Sequence, residues 1–165
     1  MTDRILVAGI GNIFFSDDGF GCEVARRLGQ DPPQDGVTVR DFGIAGIHLA
    51  YELLEGYDLA ILIDALEGND PPGTITVIEP GIDEAAGPAD AHSMDPRTVL
   101  AQVEAMGGTD ARFLLVGCRP AETGEGIGLS PSVEAAVDPA ADRVRALVAA
   151  TKREPVPATA AGAGP

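Results

Sequence analysis

Two adjacent carboxylates, Asp17 and Asp18, follow a glycine turn in the stretch VAGIGNIFFSDDGFG, residues 7–21. Glycine turns after a strand often cradle phosphates with backbone N–H groups, but two aspartates repel a phosphate and attract a cation. Two more residues have the types to join them. Asp64 ends the apolar run DLAILIDAL, residues 58–66, and His92 stands three residues before Asp95. Two carboxylates and an imidazole suit a borderline divalent metal and leave coordination positions open. Either carboxylate can also serve as a general base toward water. Plainer roles exist for each: a helix cap for Asp17 or Asp18, a strand-end hydrogen bond for Asp64, and solvation in a loop for His92.

Whether these residues meet depends on the elements that carry them. RILVAGIG, residues 4–11, reads as a buried first strand. A helix over residues 18–30 follows, stopped by Asp-Pro-Pro, and GVTVRDFG, residues 36–43, reads as a second strand. The next segment predicts a helix with Ile47, Ala50, Tyr51 and Leu54 on its apolar face. The run ending at Asp64 is continuously apolar, as in a central strand covered on both faces. GTITVIEP, residues 73–80, is a short fourth strand. A helix follows with Asp95 as N-cap and Pro96 at its first position, and a fifth strand covers residues 111–120. The last helix is expected over residues 130–151, with an interruption at Pro139.

Alternating strands and helices predict an α/β sandwich around a mostly parallel sheet. Residues 67–72 are too few for a parallel crossover, so the fourth strand is expected to run antiparallel. Ligands bind beyond the carboxyl ends of parallel strands where the winding reverses. With strands one and three adjacent there, Asp18 and Asp64 face one crevice. The long segment of residues 81–94 then returns to that edge and brings His92 with it.

The chain of 165 residues predicts one domain, residues 1–152, and a disordered Ala/Pro/Gly-rich tail, residues 153–165. Net charge is −15, from 11 basic and 26 acidic side chains, which argues against nucleic acid and anionic membrane as partners. No stretch approaches the ~18 apolar residues of a membrane span, and no signal peptide is legible. The two cysteines, Cys22 and Cys118, make no disulfide framework, so the cytoplasm is the expected compartment and a monomer the expected state. A dinucleotide site is disfavoured because Phe14 occupies the third glycine of GxGxxG. A thiol hydrolase pairing Cys118 with His92 is disfavoured against a buried structural cysteine. His48, beside a helical apolar face, reads as a surface or boundary residue rather than a ligand.

Taken together, GIGNIFFSDDGFG, DFGIAG, LIDAL, AHSMDP and GLSPSVEAAV resemble the NiFe-hydrogenase maturation endopeptidases, over roughly residues 4–148. The resemblance implies a three-layer α/β/α sandwich around a mixed, mostly parallel five-stranded sheet with one antiparallel strand. It implies an endopeptidase that removes the C-terminal extension of a hydrogenase large-subunit precursor after nickel insertion. The family's metal-contacting residues fall on Asp18, Asp64 and His92, which would engage nickel carried by the substrate. Asp41, at the end of the second strand, matches a further family carboxylate near the cleft. Two departures are visible: Phe42-Gly43-Ile44 stands where many members read Gly-Gly-Thr, and Ser-Met-Asp-Pro follows His92. There is no His-Glu-x-x-His and no Gly-x-Ser-x-Gly, so neither the zinc-protease helix nor a serine elbow is available. A nickel-site chaperone that inspects the precursor without cutting it would carry the same ligand set.

Overall fold

The first apolar run forms β1, Ile5–Ile10, buried at all six positions. The computed structural model describes residues 3–80 and 96–153. β2 spans Val37–Gly43, β3 Leu59–Ala65, β4 Ile75–Ile78 and β5 Arg112–Cys118. They form one sheet in the order β2-β1-β3-β5-β4, with only the β4–β5 pair antiparallel. The short link before β4 thus has the consequence expected of it. β1 lies between β2 and β3, so the winding reverses at the carboxyl end of β1.

Side chains of period two divide the core into two halves. Ile5, Val7, Ile61 and Ile63 face one side, against Phe20, Val24 and Leu28 of α1 (Phe20–Leu28) and Val133, Val137 and Val144 of α4 (Pro131–Arg153). Leu6, Ala8, Ala60 and Leu62 face the other, against Leu49 and Leu53 of α2 (Gly46–Leu53) and Val99 and Val103 of α3 (Pro96–Ala105). The result is a three-layer α/β/α sandwich. None of the described helices is long and apolar enough to cross a membrane.

Three local expectations are corrected. Asp18 and Gly19, expected at the start of the helix over residues 18–30, belong instead to a single 3₁₀ turn, Ser16–Gly19, and α1 proper starts only at Phe20. In α2 the buried positions are Gly46, Leu49, Ala50 and Leu53, whereas Ile47 and Tyr51 are 46% and 58% exposed. Apart from His48 and Glu52 this helix is apolar or aromatic, so periodicity alone does not choose between two overlapping stripes. α4 runs unbroken through Pro139. A proline inside a helix costs about 3 kcal/mol, but the buried row from Val133 to Val148 straddles it and holds both halves on the sheet. The expected Asp95 cap, the returning segment of residues 81–94 and the tail from residue 154 lie outside the described residues.

One close approach sets the position of everything near the carboxyl edge. A Cβ on Gly21 would lie 2.0 Å from the Ile63 carbonyl oxygen and 2.5 Å from that of Ile10. The first turn of α1 is therefore pressed directly on the ends of β1 and β3. Gly21→Ala is expected to destabilise the protein by about 3 kcal/mol or more, since backbone must move to admit the methyl. Thermal unfolding should show a midpoint lowered by roughly 10 °C for a domain of this size.

Candidate active site at the carboxyl edge of the sheet

β1 leaves the sheet through Gly11, at φ 143°, where only glycine fits: a Cβ would lie 1.9 Å from the Asp18 carbonyl oxygen. The same point is 3.8 Å from Oδ1 of Asp64. The tight turn thus brings the backbone of Asp18 against Gly11, with the Asp64 carboxylate on the same spot. The Asn12 N–H donates to Asp18 Oδ2 at 2.9 Å, which turns this half-buried carboxylate back over the glycine turn. Asp64 is 6% exposed, and its Oδ1 accepts the Ala65 N–H at 2.8 Å. Asp41, exposed at the end of β2, accepts the Gly43 N–H at 2.8 Å, and the Gly11 N–H donates to the Gly43 carbonyl at 3.0 Å. That last bond ties the exits of β1 and β2 together.

The buried Cys22 thiol reports on this grouping. Its Sγ lies 3.5 Å from the Gly11 carbonyl oxygen that accepts its hydrogen bond. Burial pushes its pKa far up, helped by a hydrogen bond to Asp41 and then by the charges of Asp41, Asp64 and Asp18. The charges of carboxylates following three neighbouring strands thus act on this thiol, which stays protonated and inert toward electrophiles. Among the described residues no group of three or more His, Cys, Asp and Glu side chains is arranged to hold a metal ion. His92 lies outside the described residues. It precedes Pro96 by four residues, a span of at most about 14 Å. Because α3 leads into the parallel strand β5, its first turn at Pro96 lies at the carboxyl edge.

Cys118 is fully buried at the end of β5, in the core half shared with Phe20, Val133 and Val137, not in the cleft. Burial, then the Asp17 charge, push its thiol up to about 11, against a hydrogen bond from the Gly73 backbone. His48 is exposed on α2.

The residue that sequence reasoning undervalued is Asp17. It is 0% exposed. Its Oδ2 accepts the N–H groups of Ala121 and Glu122, both at 2.9 Å, and the Ser130 hydroxyl at 2.8 Å. Its Oδ1 accepts the Ser130 N–H at 2.7 Å. Burial alone would raise its pKa, but these four hydrogen bonds outweigh it and hold the carboxyl below the usual range. Around it the loop is laced backbone to backbone. Ser16 and Asp17 donate to the carbonyls of Gly126 and Glu122, and Gly126 donates to Phe14. Ser16, at φ 54°, also donates its hydroxyl to the Gly124 carbonyl at 2.8 Å. Asp17 therefore fixes the turn carrying Asp18 to the loop that enters α4. Nothing local in the sequence distinguishes it from Asp18, because its partners lie more than a hundred residues away.

Residues 22–146 match a family model described as Hydrogenase maturation protease. The chain is 34% identical over 123 residues to the hydrogenase expression/formation protein HupD of Rhizobium leguminosarum bv. viciae, covering 71% of this chain but 59% of that protein. It is 30% identical over 161 residues to the hydrogenase 2 maturation protease of Escherichia coli, covering 93% of this chain and 96% of the other. Among solved structures, the hydrogenase maturating endopeptidase HybD from E. coli superposes with a TM-score of 0.78 at 30% identity, over 90% of this chain and 93% of that one.

Proposed function

Because this chain belongs to the hydrogenase maturation protease family, we propose that it is an endopeptidase that removes the C-terminal extension of a NiFe-hydrogenase large-subunit precursor after nickel insertion. The observation that carries this reading is the packing of the Asp18 backbone and the Asp64 carboxylate against Gly11 at the reversal of the sheet, with the Asp18 carboxylate turned back onto Asn12 and Asp41 at the neighbouring strand exit. Such an acidic floor disfavours a phosphate and suits a cation offered from outside.

In this reading nickel belongs to the substrate. Asp18, Asp64 and His92 supply only three ligands, so the free protein holds metal weakly, and donors on the precursor complete the coordination. Nickel then marks a correctly loaded precursor and can polarise the scissile carbonyl. Asp64, nearly enclosed, and Asp18, half-buried, are placed to orient a water and take its proton as it attacks that carbonyl carbon. The carbonyl C–N bond breaks, and the proton passes to the leaving amine. Asp41 stands at the cleft edge, where it can steer the cation. The protein acts as a monomer in the cytoplasm.

The test is the mobility of the precursor on a denaturing gel after incubation with the protein. Nickel-loaded precursor should shorten while precursor lacking nickel stays intact. Equal cutting of both forms would overturn the nickel requirement. Stable binding without shortening would instead identify a chaperone of the nickel site.

A further inference from the structure

Among the described residues, exposed large apolar side chains concentrate at one edge of the sheet. Eight of the described residues are strongly exposed in this way, and six lie in the loops and the first helical turn at the carboxyl edge, Tyr51 in the second turn of α2 and Ile78 of β4 being the exceptions. The turn after β1 presents Ile13, Phe14 and Phe15, at 51%, 60% and 40% exposure. The loop entering α4 presents Ile127 at 83%, directly after Gly126, which pairs with Phe15 as an isolated parallel bridge. The exit of β2 presents Ile44 at 62% and, at the start of α2, Ile47. Asp18 and Asp41 belong to these same two strand exits, which the Gly11–Gly43 hydrogen bond ties together.

An apolar patch bordered by charge marks a binding surface, whereas scattered single residues do not. This one is held rigid by the backbone pairing of residues 14–17 with 122–126 and by Asp17 beneath, so little ordering entropy is lost when a partner lands on it. Its charge names the partner's chemistry. Three carboxylates form the floor, Glu122 and Glu125 stand in the same loop, and the whole chain carries −15. The complement is an apolar surface surrounding a cationic centre.

We propose that this collar is the docking surface for the folded body of the precursor, gripping the apolar protein surface around the cation-bearing site that the acidic floor reads. The identification of the partner rests on the function proposed above. The collar supplies affinity through Phe14, Phe15 and Ile127, and the floor supplies the chemistry.

The experiment uses the full chain and nickel-loaded precursor. Kd is measured by titration calorimetry, and KM and kcat by gel shift, for wild type, Phe14→Asp, Ile127→Asp and the far-edge control Ile78→Asp. Thermal unfolding confirms that each variant is folded. Truncating or reversing an apolar anchor should raise Kd and KM at least about tenfold, with kcat within about twofold and the control unchanged. Unchanged Kd for both collar variants overturns the proposal, as does a wild type that fails to bind the precursor. Sedimentation of the wild type as a dimer, with Phe14→Asp and Ile127→Asp monomeric, overturns it too by assigning the collar to a second copy. A wild type that binds without cutting, with Kd still sensitive to Phe14 and Ile127, sinks the protease reading and leaves the collar standing.

Discussion

Asp64→Asn should fold like the wild type and leave nickel-loaded precursor uncut, with the rate lowered at least about 100-fold, the scale of a lost general base. The asparagine is nearly the same shape, and its carbonyl oxygen can still accept the Ala65 N–H that Asp64 Oδ1 accepts now. What it loses is the charge that holds a cation and the capacity to take a proton. Asp18→Asn should behave alike, since its remaining oxygen can keep the bond from Asn12. Circular dichroism and the unfolding midpoint separate chemistry from folding, and the precursor gel shift reads the rate. Processing at wild-type speed by folded Asp64→Asn would remove this carboxylate from the mechanism and leave the acidic floor as surface charge.

Asp17→Ala should have the opposite signature, a large loss of stability. The substitution deprives three backbone N–H groups and one hydroxyl of their acceptor. Unsatisfied buried donors cost roughly 1–3 kcal/mol apiece, and with partial relaxation the total should be about 4 kcal/mol. Asp17→Asn should fall between, because its amide can face the single donor at Oδ1 and leave the three-donor oxygen in place. The pH dependence has a definite sign. The folded carboxyl titrates below the unfolded value of about 3.9, so its contribution is present in full above that pH and is lost as pH falls through the folded pKa. The stability gap between wild type and Asp17→Ala should therefore be wide at pH 7 and narrow in acid. Denaturant unfolding at several pH values checks this, and a gap constant down to acid would mean that the charge on Asp17 contributes nothing.

The fold was readable because its signals are local. Continuous apolar runs mark β1 and β3 as central, and the six residues from 67 to 72 force β4 antiparallel whatever the rest of the chain does. That topology alone carries Asp18 and Asp64 to one edge. The phase of α2 was not legible, since a short helix with two overlapping apolar stripes is oriented by the sheet it lands on, not by its own pattern. Nor was the continuity of α4 through Pro139, where tertiary burial outweighs a local penalty. Asp17 was missed for a related reason: its burial is created by Ala121, Glu122 and Ser130, and adjacency to Asp18 says nothing about them. The placement of His92 lies outside the described residues, so the triad rests on motif and topology.

The Asp17 network also fixes when the site can exist. Its partners are separated from it by 104 to 113 residues of sequence. A contact of that span closes one of the longest loops the domain has, so it belongs to the late events of folding. During synthesis, the turn bearing Asp18 emerges more than a hundred residues ahead of the segment entering α4 and has nothing to lock against until that segment has followed. A nascent or truncated chain that ends before Ser130 therefore carries both carboxylates without the scaffold that aims them. Peptidase competence therefore requires the segment through Ser130 as well as the carboxylates themselves.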